Sequence, residues 1–312
     1  MTFEECAESY IGANRAGWKS AKHASQWRAT LLTYAYPIIG SLPVDAVEDV
    51  HVLKIIQPIW TTKTETANRV RGRVEKVLDR AKALKLRSGE NPARWTGHLD
   101  QLLPRRSQVA PVEHHEALPY GELSQFMTEL AKFDSLSALA LEFTILTAAR
   151  TGDTIGAVHS EIDRKACTWT VPAARLKGKK GARQRDHVVP LCNRTLAILD
   201  KLAGSGEYLF ANGLGQPLGG MAMLECLRGL RPGLTVHGFR STFKDWASEM
   251  TAYPNELSEL ALAHTVTDKV EAAYRRGDML EKRRRMMQDW ATFAANQVST
   301  SHSQIVPIRS EI

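Results

Sequence analysis

The chain has 312 residues, of which 43% are hydrophobic, and it carries 41 lysines and arginines against 34 aspartates and glutamates. This composition is typical of a globular protein, and the length favours two domains. The positive charge lies at one end, because residues 1–110 hold 17 basic and 11 acidic residues whereas residues 111–312 hold 24 and 23. The asymmetry favours an anionic polymer as partner of the N-terminal part, although basic domains without such a partner are common.

The cysteines and the apolar segments indicate neither secretion nor membrane insertion. Four cysteines are widely scattered and form no C-x-x-C pair, which fits reduced thiols in a cytosolic protein. The N-terminus, MTFEECAESY, is acidic and has no apolar signal core. The longest apolar region, residues 135–149, is interrupted by Glu142 and is too short to span a bilayer. We therefore expect a cytoplasmic protein with no membrane partner.

Helical periodicity extends over residues 2–87 and is clearest between residues 63 and 89. One stripe of that helix is apolar and consists of Ala67, Val70, Val74, Val77, Leu78, Ala81 and Leu84. The other faces are strongly basic, which fits either a solvated helix surface or a helix that lies along a DNA groove and neutralises phosphates. In the second interpretation the DNA contacts come from Arg69, Arg71, Arg73, Lys76 and Arg80.

A proline-containing segment without periodicity follows, and we place an interdomain linker at residues 101–117. Further along, 167-CTWTVPA-173 and 186-DHVVPL-191 predict two strands, and the Gly- and Lys-rich connection between them is typical of an exposed hairpin. Helices dominate again from about residue 193 to 295. The last residues, 297–312, have no core pattern and are interpreted as a flexible or partner-docking tail.

The predicted fold is therefore mainly α with a small antiparallel β-sheet. We predict a helical N-terminal domain at residues 1–100, the linker, an α+β domain at residues 118–296, and the tail. The basic excess belongs to the first of these domains.

Three places in the second domain combine residues suited to phosphate chemistry. Arg150 continues a core-facing apolar stripe, where a guanidinium needs anionic company such as Asp153 or a bound phosphate. His237 and Arg240 lie near one another at a helix start, where free N–H groups favour anions. For each motif alone, a structural ion pair or a solvated side chain is an equally good or better explanation.

The third place is 260-LALAHTVTDKVEAAYRRGDML-280, which predicts a helix, a break and a second helix. His264 falls at the end of the first helix, and Tyr274 follows ten residues later on the second. Val270 and Ala273 share the side of Tyr274, so periodicity alone predicts an ordinary packed tyrosine.

In order and spacing, these residues resemble the tyrosine recombinase (phage integrase) family. The resemblance rests on Arg150, Lys177, 237-HGFRSTFKDWASE-249, 262-LAHTVTDKVEAAYRR-276 and 187-HVVPL-191, wording similar to integrases of prophages and genomic islands. Residues from about 118 to 295 resemble the catalytic domain of the family, and residues 2–100 resemble its helical core-type DNA-binding domain. The chain begins directly with the latter, so binding to arm sites is not expected.

The resemblance implies a role for each candidate. Tyr274 would attack the scissile phosphodiester and form a 3′-phosphotyrosine, with Arg150 and Arg240 on the nonbridging oxygens. Lys177 would protonate the leaving 5′-oxygen, a role for which Lys179 and Lys180 lie close enough in sequence to compete. His237 would assist proton transfer, His264 would hydrogen-bond the phosphate, and Asp153 would orient Arg150. No metal and no other cofactor is implied.

The implied partner is double-stranded DNA with core-type attachment sites. Recombination in this family uses four protomers, so a homotetramer on DNA is expected, with a monomer in solution as an option, and the protein would associate with the nucleoid. Two alternatives stay open from the sequence. One is a type IB topoisomerase-like enzyme with the same residues, and the other is a non-catalytic DNA-binding accessory protein.

Overall fold

The computed structural model describes residues 1–18, 21–109, 116–176, 185–202, 206–264 and 278–296. The chain divides into two compact units, Met1–His114 and His115–Ile312. Each has its own hydrophobic core. The predicted linker contains this division, and the assignment of a separate function to each part stays a prediction.

The first unit is helical throughout its described elements. Its helices are α1 (Phe3–Asn14), α2 (Ala21–Tyr34), α3 (Tyr36–Ile39), α4 (Asp49–Trp60), α5 (Thr64–Ala83) and α6 (Arg106–Val109). Helix α5 packs against α1, α2 and α4, because its apolar stripe from Ala67 to Ala81 is completely buried.

Helix α5 is shorter than the periodicity predicts. Lys85 has a left-handed φ of 59°, and the Leu86 N–H donates to the carbonyl of Ala81, which closes the helix with a Schellman-type cap. Leu84, the last member of the predicted stripe, is consequently 49% exposed.

The second unit surrounds a small sheet with helices. Before the sheet come α7 (Leu123–Leu130), α8 (Leu136–Thr147) and α9 (Thr151–Ile155). The antiparallel strands are β1 (Ile162–Asp163), β2 (Thr168–Val171) and β3 (His187–Pro190), in spatial order β1-β2-β3. After the sheet come α10 (Asn193–Lys201), α11 (Ala222–Leu230), α12 (Gly238–Glu249), α13 (Asn255–Ala261) and α14 (Leu280–Ala295). The predicted fold class is confirmed, and β1 is a strand that the sequence pattern does not predict.

Aromatic side chains hold the second unit around α8. Phe143 packs on Trp169 of β2, with ring centroids 5.4 Å apart. Phe243 and Trp246 of α12 pack on Trp290 of α14, whose indole N–H donates to the carbonyl of Ile145 at 2.9 Å. These contacts fix α8, α12 and α14 relative to one another.

The described ranges contain neither a membrane-spanning helix nor a cluster of metal-binding side chains. None of their helices combines the length and the apolar character that a membrane crossing requires. Nor do they contain a group of three or more His, Cys, Asp or Glu side chains arranged to hold a metal ion.

Candidate active site

The ends of three helices bring two predicted arginines together. Helix α8 ends at Ala148 and helix α13 is followed by Ala263, and both residues are left-handed, with φ of 51° and 49°. The carbonyls at these two helix ends carry the partial negative charge of the helix dipole and need donors. Guanidinium groups of the second unit supply those donors.

Arg240, on the first turn of α12, is 6% exposed and is held on both sides. Its Nη1 donates to the carbonyl of Ala148, and its Nη2 donates to the carbonyl of Leu262 at 2.5 Å. The same Nη2 lies 3.1 Å from Nε2 of His264. The buried guanidinium is thus fixed between the ends of α8 and α13.

Arg150 lies beside Arg240. The apolar stripe predicts that Arg150 continues helix α8, but in the structure it does not. The left-handed Ala148 ends α8, and Arg150 becomes the N-cap of α9 with its side chain 21% exposed. Its Nη2 donates to the carbonyl of Ala263 at 3.2 Å and lies 3.5 Å from that of Leu262. Both guanidiniums therefore meet at the carbonyl of Leu262.

Asp153 is the acidic neighbour of Arg150, and it neutralises the pair only in part. Its Oδ2 lies 3.8 Å from Nη1 of Arg150, beyond hydrogen-bonding distance. Burial raises the pKa of Asp153, while Arg150 and Arg175 oppose that shift.

Burial and repulsion from the charge of Arg150 both disfavour the charged form of Arg240. Burial lowers the pKa of Arg240 to about 10, repulsion from Arg150 adds to the effect, and Asp153 and Glu259 oppose it. The group still carries its charge at neutral pH. Two adjacent cations with partial neutralisation make a site that favours a further anion.

His264 extends the site through residues that sequence reasoning missed. Its Nδ1 lies 2.7 Å from Oε2 of Glu259, and Oε1 of Glu259 lies 2.5 Å from Nζ of Lys244. Burial acts most strongly on the pKa of Glu259 and raises it, but hydrogen bonds from Lys244 and His264 bring the net pKa below its usual range. Since Nε2 accepts from Arg240, Nδ1 carries the proton that Glu259 accepts.

His187 of β3 is a third residue whose place in the site the sequence did not indicate. Burial lowers its pKa to about 4, with Arg283, Arg150 and Arg240 acting in the same direction and a hydrogen bond to the backbone of Ala261 opposing them. It is therefore a neutral imidazole beside the arginine pair at physiological pH. Its hydrogen bond to the backbone of Ala261 connects β3 to the end of α13.

The other predicted catalytic residues are less defined. His237 immediately precedes α12 and is exposed. Tyr274 and the three lysines Lys177, Lys179 and Lys180 lie outside the described residues.

The predicted DNA contacts of α5 differ in environment. Arg71 is 12% exposed, pairs with Glu75 at 2.8 Å and donates to the carbonyl of Ala93, while Arg80 reaches the hydroxyl of Ser9. Arg69 is 56% exposed and pairs with Glu65. Arg73 is buried and Lys76 is exposed, and these two lie near Arg69 on one face of the helix.

Comparisons with known proteins agree with this fold. The family model for the phage integrase central domain matches residues 3–98. Prophage integrase IntZ of Escherichia coli (strain K12) is 29% identical over 296 residues, covering 93% of this chain and 70% of that protein. The integrase of Enterobacteria phage P4 is 26% identical, covering 94% of this chain and 69% of its own length. Prophage integrase IntA of the same Escherichia coli strain is covered over 63% of its length.

Two solved structures have a similar fold. A lambda integrase dimer bound to a COC′ core site has a TM-score of 0.65 at 16% identity, over 85% of this chain and 96% of that one. The Tn1549 transposon integrase in complex with circular intermediate DNA has a TM-score of 0.60 at 14% identity, over 88% and 100%. The fold is therefore that of the phage-type integrases.

Fold, family model and relatives point in the same direction. Residues 3–98 match the phage integrase central domain, and the chain as a whole is similar to integrases of the tyrosine recombinase family, also called the phage integrase family.

Proposed function

We propose that this protein is a site-specific DNA recombinase that integrates or excises a mobile element. The observation that carries the proposal is the pair of guanidiniums, Arg150 and Arg240, that meet at the carbonyl of Leu262 with His264 beside them. The pair suits the two nonbridging oxygens of a phosphodiester, and its charge offsets the charge that grows in a pentacoordinate transition state.

In the proposed reaction, the phenolate oxygen of Tyr274 attacks the scissile phosphorus. The P–O5′ bond breaks, the 3′-phosphate stays on the tyrosine, and a 5′-hydroxyl leaves after protonation by Lys177 or by one of its neighbours Lys179 and Lys180. His237 assists removal of the tyrosine proton. His264 hydrogen-bonds the phosphate through Nε2, which must then donate to a phosphate oxygen instead of accepting from Arg240. Attack by a 5′-hydroxyl of another strand reverses the step, so the proposed reaction consumes no high-energy cofactor. It also requires no metal ion.

The proposed partner is double-stranded DNA carrying core-type attachment sites. The first unit supplies the basic side chains of α5, and the second supplies the reacting groups. A related lambda integrase has been solved as a tetramer bound to a Holliday junction, which supports the expectation that this chain also acts as a homotetramer on DNA. Nucleoid association follows from such a partner.

Adduct formation tests the proposal. The wild-type chain is incubated in EDTA with a pool of nicked duplexes whose sequence around the nick is randomised, and protein-linked DNA is recovered after denaturation with detergent. We expect a covalent adduct whose DNA sequences converge on one site. A chain that binds the duplexes but never becomes linked to them would be a DNA-binding accessory protein instead.

Strand exchange separates recombination from topoisomerase-like relaxation. Two duplexes carrying the selected site should yield recombinant products of the wild-type chain. Relaxation of supercoiled plasmids that lack the site, without exchange, would favour the topoisomerase alternative.

Glu259 is expected to support this chemistry through His264. Glu259→Gln keeps an oxygen that can accept from Nδ1 but removes the charge shared with Lys244, and loss of a charged hydrogen bond corresponds to a roughly ten- to hundredfold slower cleavage. The rate of adduct formation under single-turnover conditions measures it. Glu225→Gln, the same substitution on the exposed face of α11, is the matched control. Equal cleavage rates in the two variants would show that Glu259 does not support His264.

A further inference from the structure

The first unit contains a cleft of about 530 Å³ between α5, the end of α1 and α2. Four residues of α5 line it at successive turns of one face, namely Arg69, Gly72, Arg73 and Lys76. An aromatic wall formed by Tyr10, Trp18 and Trp27 lies opposite. One wall of the cleft is therefore cationic and another is aromatic.

Arg73 places an uncompensated charge in this cleft. The residue is 5% exposed, and its Nη1 donates to the carbonyl of Gln26 at 2.6 Å. Its Nε is buried without a hydrogen-bond partner, and no ion pair joins Arg73 to a carboxylate in the part of the chain that the structure describes. A buried cation without a counter-charge is costly, so an anion in the cleft would be bound favourably.

Trp27 and His23 surround that charge. The guanidinium of Arg73 lies 5.3 Å from the ring centre of Trp27, and the ammonium of Lys76 lies 6.0 Å from it. The indole N–H of Trp27 donates to Nε2 of His23 at 3.1 Å. Partial burial, then repulsion from Arg73 and Lys76, lower the pKa of His23. In the neutral ring the proton therefore lies on Nδ1, which becomes one more donor.

Gly72 indicates where a ligand approaches. Glycine is the least favourable residue after proline in a helix interior, and Gly72 lies in the middle of α5 without a positive φ. A Cβ built on it would meet nothing within 4 Å, so neighbouring protein atoms do not require the glycine. Because Gly72 lines the cleft, its missing side chain leaves the helix backbone open to close approach by a ligand there.

We propose that this cleft binds one backbone phosphate of DNA, with Arg73, Lys76 and the Nδ1–H of His23 on the phosphate oxygens, Gly72 at the point of closest approach, and the adjoining sugar against Trp18. Arg69 lies at the rim. The inference rests on the proposed function in taking DNA as the source of the phosphate. Only one side of α5 is then assigned to DNA contact, because Arg71 and Arg80 are engaged within the unit.

Gly72→Ala gives the sharpest test, since stability and binding should change in opposite directions. We expect the thermal midpoint of the full chain to stay equal or rise, because alanine favours the helix and has room. Affinity for a short mixed-sequence duplex at low salt should fall about tenfold, the loss expected for a charged hydrogen bond. Gly12→Ala, in helix α1 and likewise without neighbours within 4 Å, should change stability in the same direction and leave affinity unchanged.

A salt titration provides a second measurement. Lys76→Gln should reduce the slope of log affinity against log salt by about one, because one phosphate contact is lost. Lys82→Gln, at another face of α5 and half exposed, should have a smaller effect. Adding inorganic phosphate in place of chloride at constant ionic strength should weaken wild-type binding only slightly, because a free phosphate lacks the neighbouring contacts of the DNA backbone. An unchanged salt slope in Lys76→Gln would overturn the proposal.

The outcomes separate this inference from the proposed function. Covalent adducts together with an unchanged affinity of Gly72→Ala would overturn the phosphate site and leave the recombinase standing. Duplex binding that depends on Gly72 and Lys76, without any adduct, would support the phosphate site and overturn the proposed recombinase.

Discussion

A Tyr274→Phe variant is expected to bind the selected duplex and to form no covalent adduct with it. The substitution removes one oxygen atom, and that oxygen is the proposed nucleophile, so cleavage should fall below detection while the arginine pair stays intact. The phenolate does not form readily at neutral pH, since the unperturbed pKa of a tyrosine is about 10. Gel separation after denaturation measures the adduct, and a band-shift titration measures DNA affinity.

Tyr253→Phe is the matched control. The hydroxyl of Tyr253 donates to Asp289 at 2.6 Å, on α14 and away from the arginine pair. This variant should form adducts at the wild-type rate. Adducts that persist in Tyr274→Phe would assign the nucleophile to another residue, and mass spectrometry of the DNA-linked peptide would identify it.

Arg240→Lys is expected to have the second largest effect. A lysine keeps the charge but offers no planar fork, so it cannot serve the carbonyls of Ala148 and Leu262 and a phosphate oxygen together. Loss of one preorganised donor at a developing oxyanion slows reactions by about a hundred- to a thousandfold. Single-turnover cleavage should fall by that order, while DNA affinity should change much less, because most phosphate contacts lie elsewhere.

Arg231→Lys controls for the general effect of this substitution. Arg231 pairs with Glu129 at 2.7 Å in the same unit, and both side chains are about a quarter exposed. Surface pairs of this kind contribute little to stability, so both cleavage and thermal midpoint should stay near wild type. If Arg240→Lys cleaved at the wild-type rate, the fork of Arg240 would not contact the reacting phosphate.

Local patterns predict much of this fold and part of the site. The stripe of α5 is correct from Ala67 to Ala81 because helical periodicity and burial agree there. The stripe does not predict where α5 ends, because an apolar pattern gives no sign of the left-handed backbone conformation of Lys85. Arg150 was singled out for a stripe that stops before reaching it, at Ala148.

The missing parts of the site are contacts between distant elements. Glu259 and Lys244 belong to different helices, and their pairing depends on how α12 packs on α13. His187 is on β3, and nothing in an alternating strand indicates that its ring reaches the end of α13. Along α5, helical periodicity does not distinguish one arginine from another, whereas in the structure Arg71 is engaged with Glu75 and Ala93.

The hydrogen bonds that both arginines make to the end of α13 have a consequence for the speed and selectivity of DNA capture. A free arginine or lysine side chain loses rotamer freedom worth up to roughly 1.5–2 kcal/mol when it is immobilised. Arg240 is already immobilised by the carbonyls of Ala148 and Leu262, and Arg150 by that of Ala263. That entropy is lost during folding rather than during the encounter with DNA. A phosphate in the correct position therefore gains the full attraction of both groups. A phosphate displaced by an ångström gains less, because the two side chains are already held and do not move toward it.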